Sequence, residues 1–250
     1  MNVQAYLDRI GYRGPLDLTA ETLRALQVAH LEAVPFENLS IHAGQPIVLE
    51  EDALFEKVVA RRRGGFCYEL NGLFAALLRA LGFEVAMLSA GVARADGSFG
   101  PDFDHMGLDV QLAERWLADV GFGDSFREPL RLDLRAEQVQ GERAYRIDED
   151  GTHLILLQRQ GADGPWEPQY RFTLQPHDFP DYAGMCHYHQ TSPQSHFTQK
   201  KVCSLARPDG RVTLSDLRLI TTRGGMRQER VLESEDERAA TLRELFGVVV

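Results

Sequence analysis

Cys67 is the residue in this sequence that is best placed to act as a nucleophile. It follows the loop residues 63–66, RGGF, at the start of a segment with the apolar spacing of a helix. A thiol in the first turn of a helix faces unpaired backbone N–H groups and the positive end of the helix dipole, and both favour the thiolate. Taken alone, a cysteine at this position is equally consistent with a small buried apolar residue.

A thiol nucleophile needs a base, and the base needs an acidic group that fixes its tautomer. Among the eight histidines, His105 opens a predicted strand directly after the loop at 96–104. Asp119 lies within the next apolar segment, predicted as a strand over 116–120, where a buried carboxylate requires a partner. Each residue also has an ordinary explanation, the histidine as a hydrogen-bonding residue and the aspartate as a capping or turn residue. His105 is therefore the candidate base, and Asp119 is its candidate partner.

The composition is that of a globular protein with reduced thiols. The 250 residues are 44% hydrophobic and 26% charged, which excludes disordered and fibrous classes. A net charge of −10 repels polyanions, so nucleic acid is not an expected partner. The N-terminus lacks the pattern of a secretory signal and no apolar run is long enough to span a membrane, so we expect a cytoplasmic protein that does not bind membranes. Three cysteines are an odd number, which argues against a disulfide framework.

Hydrophobic spacing divides the chain into a helical first third and a strand-rich remainder. Helices are predicted over 19–35, 49–62 and 67–82, the last ending at Gly82. After residue 83, short segments rich in Val, Leu, Ile and aromatic residues predict an antiparallel sheet or small barrel. These segments are 84–93, 105–112, 116–120, 144–147, 153–158 and 169–174. A hairpin at 202–214 and a helix over 234–246 capped by Ser234 follow.

Several sequence blocks resemble the arylamine N-acetyltransferases. They are PFENL at 35–39, RGGFCYELN at 63–71, His105, DVGFG at 119–123, and TSPQSHFT at 191–198 followed by CSL at 203–205. The blocks occur in the order and spacing of that family and cover nearly the whole chain. Their joint occurrence is much more specific than any one of them.

The resemblance implies an α+β fold in three parts with a cysteine-protease-like catalytic core. The parts are an N-terminal helical bundle over 1–82 that carries the cysteine, an antiparallel β-barrel over 83–185, and a C-terminal α/β lid over 186–250. It also implies that Cys67, His105 and Asp119 form a triad, in which His105 takes the thiol proton and Asp119 orients the imidazolium.

The implied activity is acetyl-CoA-dependent N-acetylation of arylamines and arylhydrazines, with possible O-acetylation of arylhydroxylamines. The reaction is ping-pong through an acetyl-Cys67 thioester. Acetyl-CoA acts as a cosubstrate, and no permanently bound cofactor is expected. The oligomeric state does not follow from the sequence.

The resemblance also implies residues that bind the amine substrate and CoA. Phe36, Phe122 and Phe197 would line the cleft for an aromatic amine, although each is also consistent with a core position. Ser195 is the candidate contact for CoA. Asp124 stands where many relatives have a second glycine, and an inward-pointing carboxylate there would disfavour the CoA phosphates.

Two other features have structural interpretations. Arg63 and Glu37 are expected to form an ion pair that brackets the Cys67 loop, and Gly64 with Gly65 permits a close backbone approach. The segment from Cys186 to His189 contains metal-ligand types, but no second pair follows at zinc-site spacing, so no metal is expected.

Three alternatives to arylamine acetylation remain. An amide synthase of polyketide biosynthesis shares the fold and triad but takes its acyl group from a carrier protein. A non-catalytic ligand-binding homologue would have lost a triad residue, and none is lost here. A thiol protease is disfavoured because the matching blocks extend beyond the triad into the lid.

Overall fold

A computed structural model describes residues 1–249, which form eight helices and thirteen strands. The helices are α1 (Val3–Ile10), α2 (Ala20–Ala33), α3 (Leu39–His42), α4 (Glu51–Phe55), α5 (Cys67–Leu81), α6 (Phe179–Thr191), α7 (His196–Gln199) and α8 (Glu235–Phe246). The strands are β1 (Phe36–Glu37), β2 (Glu84–Val92), β3 (His105–Gln111), β4 (Arg115–Ala118), β5 (Leu130–Arg131), β6 (Gln138–Gln140), β7 (Arg143–Asp150), β8 (His153–Gln160), β9 (Glu167–His177), β10 (Val202–Arg207), β11 (Gly210–Ser215), β12 (Arg218–Arg223) and β13 (Met226–Val231).

Helix α5 is the central buried helix of the molecule. Its apolar stripe is almost fully buried, which explains why the helix forms where its spacing predicted. The stripe consists of Leu70, Leu73, Phe74, Leu77 and Leu78. Gly82 ends the helix in the left-handed conformation, with φ of 103°, and its N–H caps the last carbonyls. The prediction of a helix that starts at Cys67 is confirmed.

The other predicted N-terminal helices form with adjusted limits. Helix α2 starts after Thr19, whose side chain accepts a hydrogen bond from the backbone N–H of Thr22 at 3.2 Å. The helix predicted over 49–62 is a short α-helix, α4, that continues as a π-helical turn over Glu56–Ala60. Residues 61–66 then form the loop that leads to Cys67.

An eight-stranded antiparallel sheet forms a nearly closed barrel beside α5. Its strand order is β5-β4-β3-β2-β9-β8-β7-β6. Gln138 on β6 exchanges two side-chain hydrogen bonds, of 2.7 and 3.0 Å, with the backbone of Arg131 on β5, and so links the two edge strands. Strand β3 begins at His105, while β4 ends at Ala118 rather than at residue 120. Asp119 is therefore the first residue of the following loop, and the prediction that it lies within the strand is wrong.

A second, five-stranded sheet joins the first and last parts of the chain. Its order is β1-β10-β11-β12-β13, so the short strand β1 pairs with β10, with Phe36 opposite Ser204 and Glu37 opposite Cys203. Helix α8 covers this sheet with the buried side chains of Leu242 and Phe246. The predicted boundary between 185 and 186 falls inside α6.

None of the helices within residues 1–249 is both long enough and apolar enough to cross a bilayer.

Candidate active site

The loop before Cys67 is fixed by buried ion pairs and by close backbone contacts. The carboxylate of Glu37, which is fully buried, accepts hydrogen bonds from Arg63 Nη2 at 2.9 Å and Nε at 3.1 Å, so the predicted ion pair is confirmed. A Cβ atom added to Gly64 would lie 2.0 Å from the carbonyl oxygen of Pro35. Only glycine fits at this crossing of the two backbone segments.

Glu69 secures the first turn of α5. Its Oε2 accepts the backbone N–H of Phe66 at 3.1 Å, and its Oε1 pairs with Lys57 Nζ at 2.7 Å. Glu69 thus caps the N-terminus of the helix that carries Cys67, by accepting the N–H of the residue before the first turn. Burial raises the pKa of Glu69, and the adjacent Lys57 ammonium opposes that rise.

His105 and Asp119 form a buried pair. His105 Nε2 lies 2.7 Å from Asp119 Oδ2, and both residues are at most 3% exposed. The pairing of Nε2 with the carboxylate leaves Nδ1 as the ring nitrogen that is free to face a thiol. The prediction that Asp119 is the partner of His105 is confirmed.

Four further groups hold the Asp119 carboxylate and its backbone. Oδ1 accepts from Asn71 Nδ2 and from the backbone N–H of Gly121, each at 2.8 Å, and Oδ2 accepts from Tyr170 at 3.2 Å. Gln27 Oε1 accepts the Asp119 backbone N–H at 3.1 Å. Asn71 lies one helical turn after Cys67, so both side chains are on the same face of α5. This spacing is a sequence signal that Asn71 belongs to the site. Gln27 and Tyr170 come from distant elements and carried no such signal.

The Asp119 loop packs directly on the first turn of α5. A Cβ atom added to Gly121 would lie 2.7 Å from Cys67 Cα and 2.8 Å from Asn71 Nδ2. Cys67 is 3% exposed, so the thiol is enclosed by this contact and by the surrounding core. Within residues 1–249, His105 has a hydrogen bond to Asp119 and none to Cys67. Proton transfer from the thiol to His105 stays a prediction.

Electrostatics at the thiol differ from the simple effect of a helix N-terminus. Burial raises the pKa of the Cys67 thiol well above its ordinary value, and nearby Cys186, Asp119 and Asp104 add to the rise. The backbone N–H of Tyr68 opposes it. The neutral thiol is therefore the favoured resting form unless a neighbouring base takes its proton.

The three predicted cleft phenylalanines are all half-buried, and each contacts another aromatic ring or the imidazole near the site. Phe122 packs edge-on against His105, with ring centroids 5.1 Å apart. Phe197 contacts Phe36 at 6.2 Å and Phe66, the residue before Cys67, at 5.4 Å. This places Phe122 on the barrel side of the site and the other two beside the β1–β10 sheet.

Ser195 lines a cavity of about 820 Å³ between the loop after β2 and the end of α6. The serine is buried, and its Oγ contacts His189 Nδ1 at 3.0 Å. Asp104, the residue before His105, also lines this cavity. The space therefore adjoins the segment that carries the candidate base.

Asp124 does not present a free negative charge. Its carboxylate binds Arg143 at 2.7 and 3.1 Å and Arg211 at 3.3 Å. Burial alone would raise the pKa of Asp124, but the two guanidinium groups hold it below its ordinary value. Two cations face one anion here, so repulsion of phosphates by Asp124 is not expected from this arrangement.

Comparisons with known proteins identify the family of this chain. A family model described as N-acetyltransferase matches residues 19–250. The chain is 37% identical to arylamine N-acetyltransferase 1 of Homo sapiens, over 84% of this chain and 79% of that protein. It is 36% identical to proansamycin X synthase of Amycolatopsis mediterranei, over 98% of this chain and 97% of that protein.

A solved structure shows the same fold. The arylamine N-acetyltransferase of Mycobacterium marinum in complex with CoA superposes with a TM-score of 0.91 at 34% identity, over 99% of this chain and 93% of that one. Fold, matched blocks and sequence identity thus point to one group of acyltransferases. The chain belongs to the arylamine N-acetyltransferase family.

Proposed function

We propose that this protein transfers an acetyl group from acetyl-CoA to arylamines and arylhydrazines, and to the oxygen of arylhydroxylamines, through an acetyl-Cys67 thioester. The observation that carries the proposal is the buried His105–Asp119 pair at 2.7 Å, attached to the first turn of the helix that carries Cys67. A neutral, enclosed thiol beside an oriented imidazole is suited to attack on a thioester.

In the first half-reaction, His105 Nδ1 takes the proton of the Cys67 thiol, and the thiolate sulfur attacks the acetyl carbonyl carbon. A new carbon–sulfur bond forms, the bond to the CoA sulfur breaks, and the departing CoA thiolate takes the proton from His105. Asp119 stabilises the imidazolium that exists between these steps. One thioester replaces another, so the transfer is nearly balanced in free energy.

In the second half-reaction, the amine nitrogen attacks the acetyl carbon of acetyl-Cys67. His105 accepts a proton from the nitrogen and returns it to the Cys67 sulfur as the thioester bond breaks. Phe122, which packs against His105, and Phe197, which packs against Phe66, are the proposed stacking surfaces for the aromatic ring, together with Phe36.

The cavity beside Ser195 is the proposed place for the acyl donor. Its volume of about 820 Å³ suits an extended arm, and Asp104 connects its wall to His105. The CoA complex of the M. marinum relative supports CoA as the cosubstrate.

Intact-mass measurement after mixing the protein with acetyl-CoA tests the proposal. One acetyl group should be added to the wild type and none to Cys67→Ala, and addition of an arylamine should remove it as the N-acetyl product. Cys203→Ala is the matched control, because Cys203 is a second buried thiol outside the site. An acetyl adduct that persists in Cys67→Ala, or that no arylamine or arylhydrazine discharges, would contradict the mechanism.

A second candidate function is amide synthesis with an acyl group supplied by a carrier protein. The observation that favours it is the 36% identity to proansamycin X synthase over nearly the full length of both chains. The same acylation assay discriminates between the two. Faster labelling of Cys67 by an acyl-loaded carrier protein than by acetyl-CoA supports the synthase, and the reverse supports the acetyltransferase.

A further inference from the structure

His189 is a buried histidine whose side chain the proposed chemistry does not use. It lies on α6 and is 6% exposed, and its ring stands edge-on to Phe197 with centroids 5.0 Å apart. Its Nδ1 contacts Ser195 Oγ at 3.0 Å. Its ring also lines the cavity of about 820 Å³ described above.

Ser195 and the Asp104 carboxylate together favour one tautomer of His189, because a carboxylate oxygen 3.2 Å from Nε2 can only accept a proton. Ser195 Oγ accepts the backbone N–H of Phe197 at 3.3 Å, so its own O–H is free to be donated to His189 Nδ1. Nδ1 is then an acceptor, and the ring proton of the neutral imidazole is on Nε2.

Within residues 1–249, that Nε2–H group has no well-aligned hydrogen-bond acceptor. Asp104 Oδ1 is 3.2 Å from Nε2, but the angles do not make a hydrogen bond, and Asp104 Oδ2 already accepts the backbone N–H of Val92. A buried donor without an acceptor is costly, and such groups are rare in native structures. One at the wall of a cavity indicates a ligand that supplies the acceptor.

The rest of the cavity restricts what that ligand can be. Apolar side chains form part of its wall, and the Asp104 carboxylate next to His189 disfavours an anionic group at this point. The aliphatic wall residues are Val92, Ala93, Ala95, Pro101 and Met185. A neutral carbonyl on a slender chain of alternating methylene and amide groups satisfies both requirements.

The cavity is also connected to the reacting groups. Asp104 precedes His105, and the hydroxyl of Tyr68, the residue after Cys67, donates to the Phe103 carbonyl at 2.5 Å. The wall of the cavity is therefore linked to the site in two ways: Asp104 is bonded to His105 along the chain, and the residue after Cys67 is hydrogen-bonded to Phe103.

We propose that His189 Nε2–H donates a hydrogen bond to an amide carbonyl of a pantetheine-type arm on the acyl donor, which makes His189 a specificity-determining residue for donors that carry this arm. The inference rests on the proposed acyl transfer at Cys67. The arm is the same in acetyl-CoA and in an acyl-loaded carrier protein, so both sources share this chemistry.

The test compares His189→Phe with wild type using three donors. Acetyl-CoA carries the arm and the nucleotide, S-acetyl-pantetheine carries the arm alone, and p-nitrophenyl acetate carries neither. The rate constant for Cys67 acylation is measured for each donor. For each arm-bearing donor, kcat/KM is divided by kcat/KM for p-nitrophenyl acetate. We expect this ratio to be about tenfold lower in His189→Phe than in wild type, because one hydrogen bond is lost, and we expect the change to lie mainly in KM.

Two matched variants complete the comparison. His189→Gln retains a side-chain N–H donor and should restore part of the ratio. His187→Phe makes the same replacement on the exposed side of α6 and should leave the ratio at its wild-type value. Comparing the wild-type acylation rates with acetyl-CoA and with an acetyl-loaded carrier protein identifies which of the two is the natural source of the arm. The proposal requires that His189→Phe lower the acylation rate with the faster of these two donors.

Other outcomes overturn the inference in distinguishable ways. An equal loss with all three donors would mean that His189 only supports the fold. A loss confined to acetyl-CoA would mean that the side chain recognises the nucleotide instead of the arm. If no donor acetylates Cys67 in the wild type, the proposed function itself fails, and this inference fails with it.

Discussion

Asn71 and Asp119 are joined by a hydrogen bond of 2.8 Å between Asn71 Nδ2 and Asp119 Oδ1. Asn71 Oδ1 in turn accepts the backbone N–H of Val120 at 2.8 Å, so one amide holds both the carboxylate and the loop that follows it. Because Asn71 is one turn after Cys67, this side chain sets the position of the His105–Asp119 pair relative to the thiol.

Asn71→Leu should reduce the rate of Cys67 acylation by about 10- to 100-fold, because a buried group that loses its partner costs about 1–3 kcal/mol. Leucine has nearly the same shape but offers no hydrogen bond. The acylation rate is measured against pH, since a misplaced His105 changes the profile as well as its height. Asn71→Asp is less suitable because it sets a second carboxylate against Asp119. A wild-type rate and profile in Asn71→Leu would contradict the positioning role.

His105→Phe should make the Cys67 thiol unreactive near neutral pH. Without a base, burial keeps the pKa of the thiol above the ordinary value of about 8.5, so the thiolate appears only at higher pH. In the wild type, the proposed proton transfer to His105 would provide a thiolate below that pH. Alkylation of Cys67 by iodoacetamide across the pH range measures the difference, with His153→Phe on the barrel surface as a control. Superimposable profiles in wild type and His105→Phe would remove His105 from its role.

Arg63→Met should damage folding more than chemistry. The substitution leaves the fully buried Glu37 carboxylate without its cation, and breaking such a pair costs about 3–5 kcal/mol. Chemical denaturation measures the free energy of unfolding, and active-site titration gives the acylation rate per folded molecule. Arg61→Met, which changes an exposed neighbour, is the matched control. A stability equal to wild type would contradict the structural role of the pair.

Asp124→Asn should lower stability at neutral pH and by less in acid. The folded pKa of Asp124 lies below its unfolded value of about 3.9, so its ion pairs stabilise the protein above that pH, and this contribution is lost as the pH falls through the folded pKa. Asp124 is half-exposed, so we expect about 1 kcal/mol or less at pH 7. Urea denaturation of both proteins at about pH 7 and about pH 3 measures this. A difference that grows in acid would have the wrong sign.

The central helix and the barrel strands are predictable from the sequence because their signals are local. The stripe from Leu70 to Leu78 and the stop at Gly82 define α5 without tertiary information. The strands of the barrel are recognised because they are short, rich in Val, Leu, Ile and aromatic residues, and separated by Gly, Asp and Pro. The same locality explains why Cys67 and His105 are recognisable at the starts of their elements.

Elements without such a pattern were not predicted. Helix α6 contains Pro180, Gly184 and two histidines, and buries only a few side chains, so the sequence indicated no more than a polar stretch. Strand β13 is exposed along its whole length and carries no alternation. Strand β1 is two residues long and forms only because β10 is present. Gln27 and Tyr170 reach Asp119 from distant elements, which local sequence patterns do not report.

The pairing of β1 with β10 has a consequence for how the protein is made. Residue 36 leaves the ribosome early, but the strand that it pairs with lies near residue 204, so this part of the fold waits for most of the chain. Phe197, which packs against Phe36, is also synthesised late. A nascent chain that stops before β10 therefore leaves the segment next to its cysteine loop without its partner strand, and this part of the fold is completed only when synthesis is nearly finished.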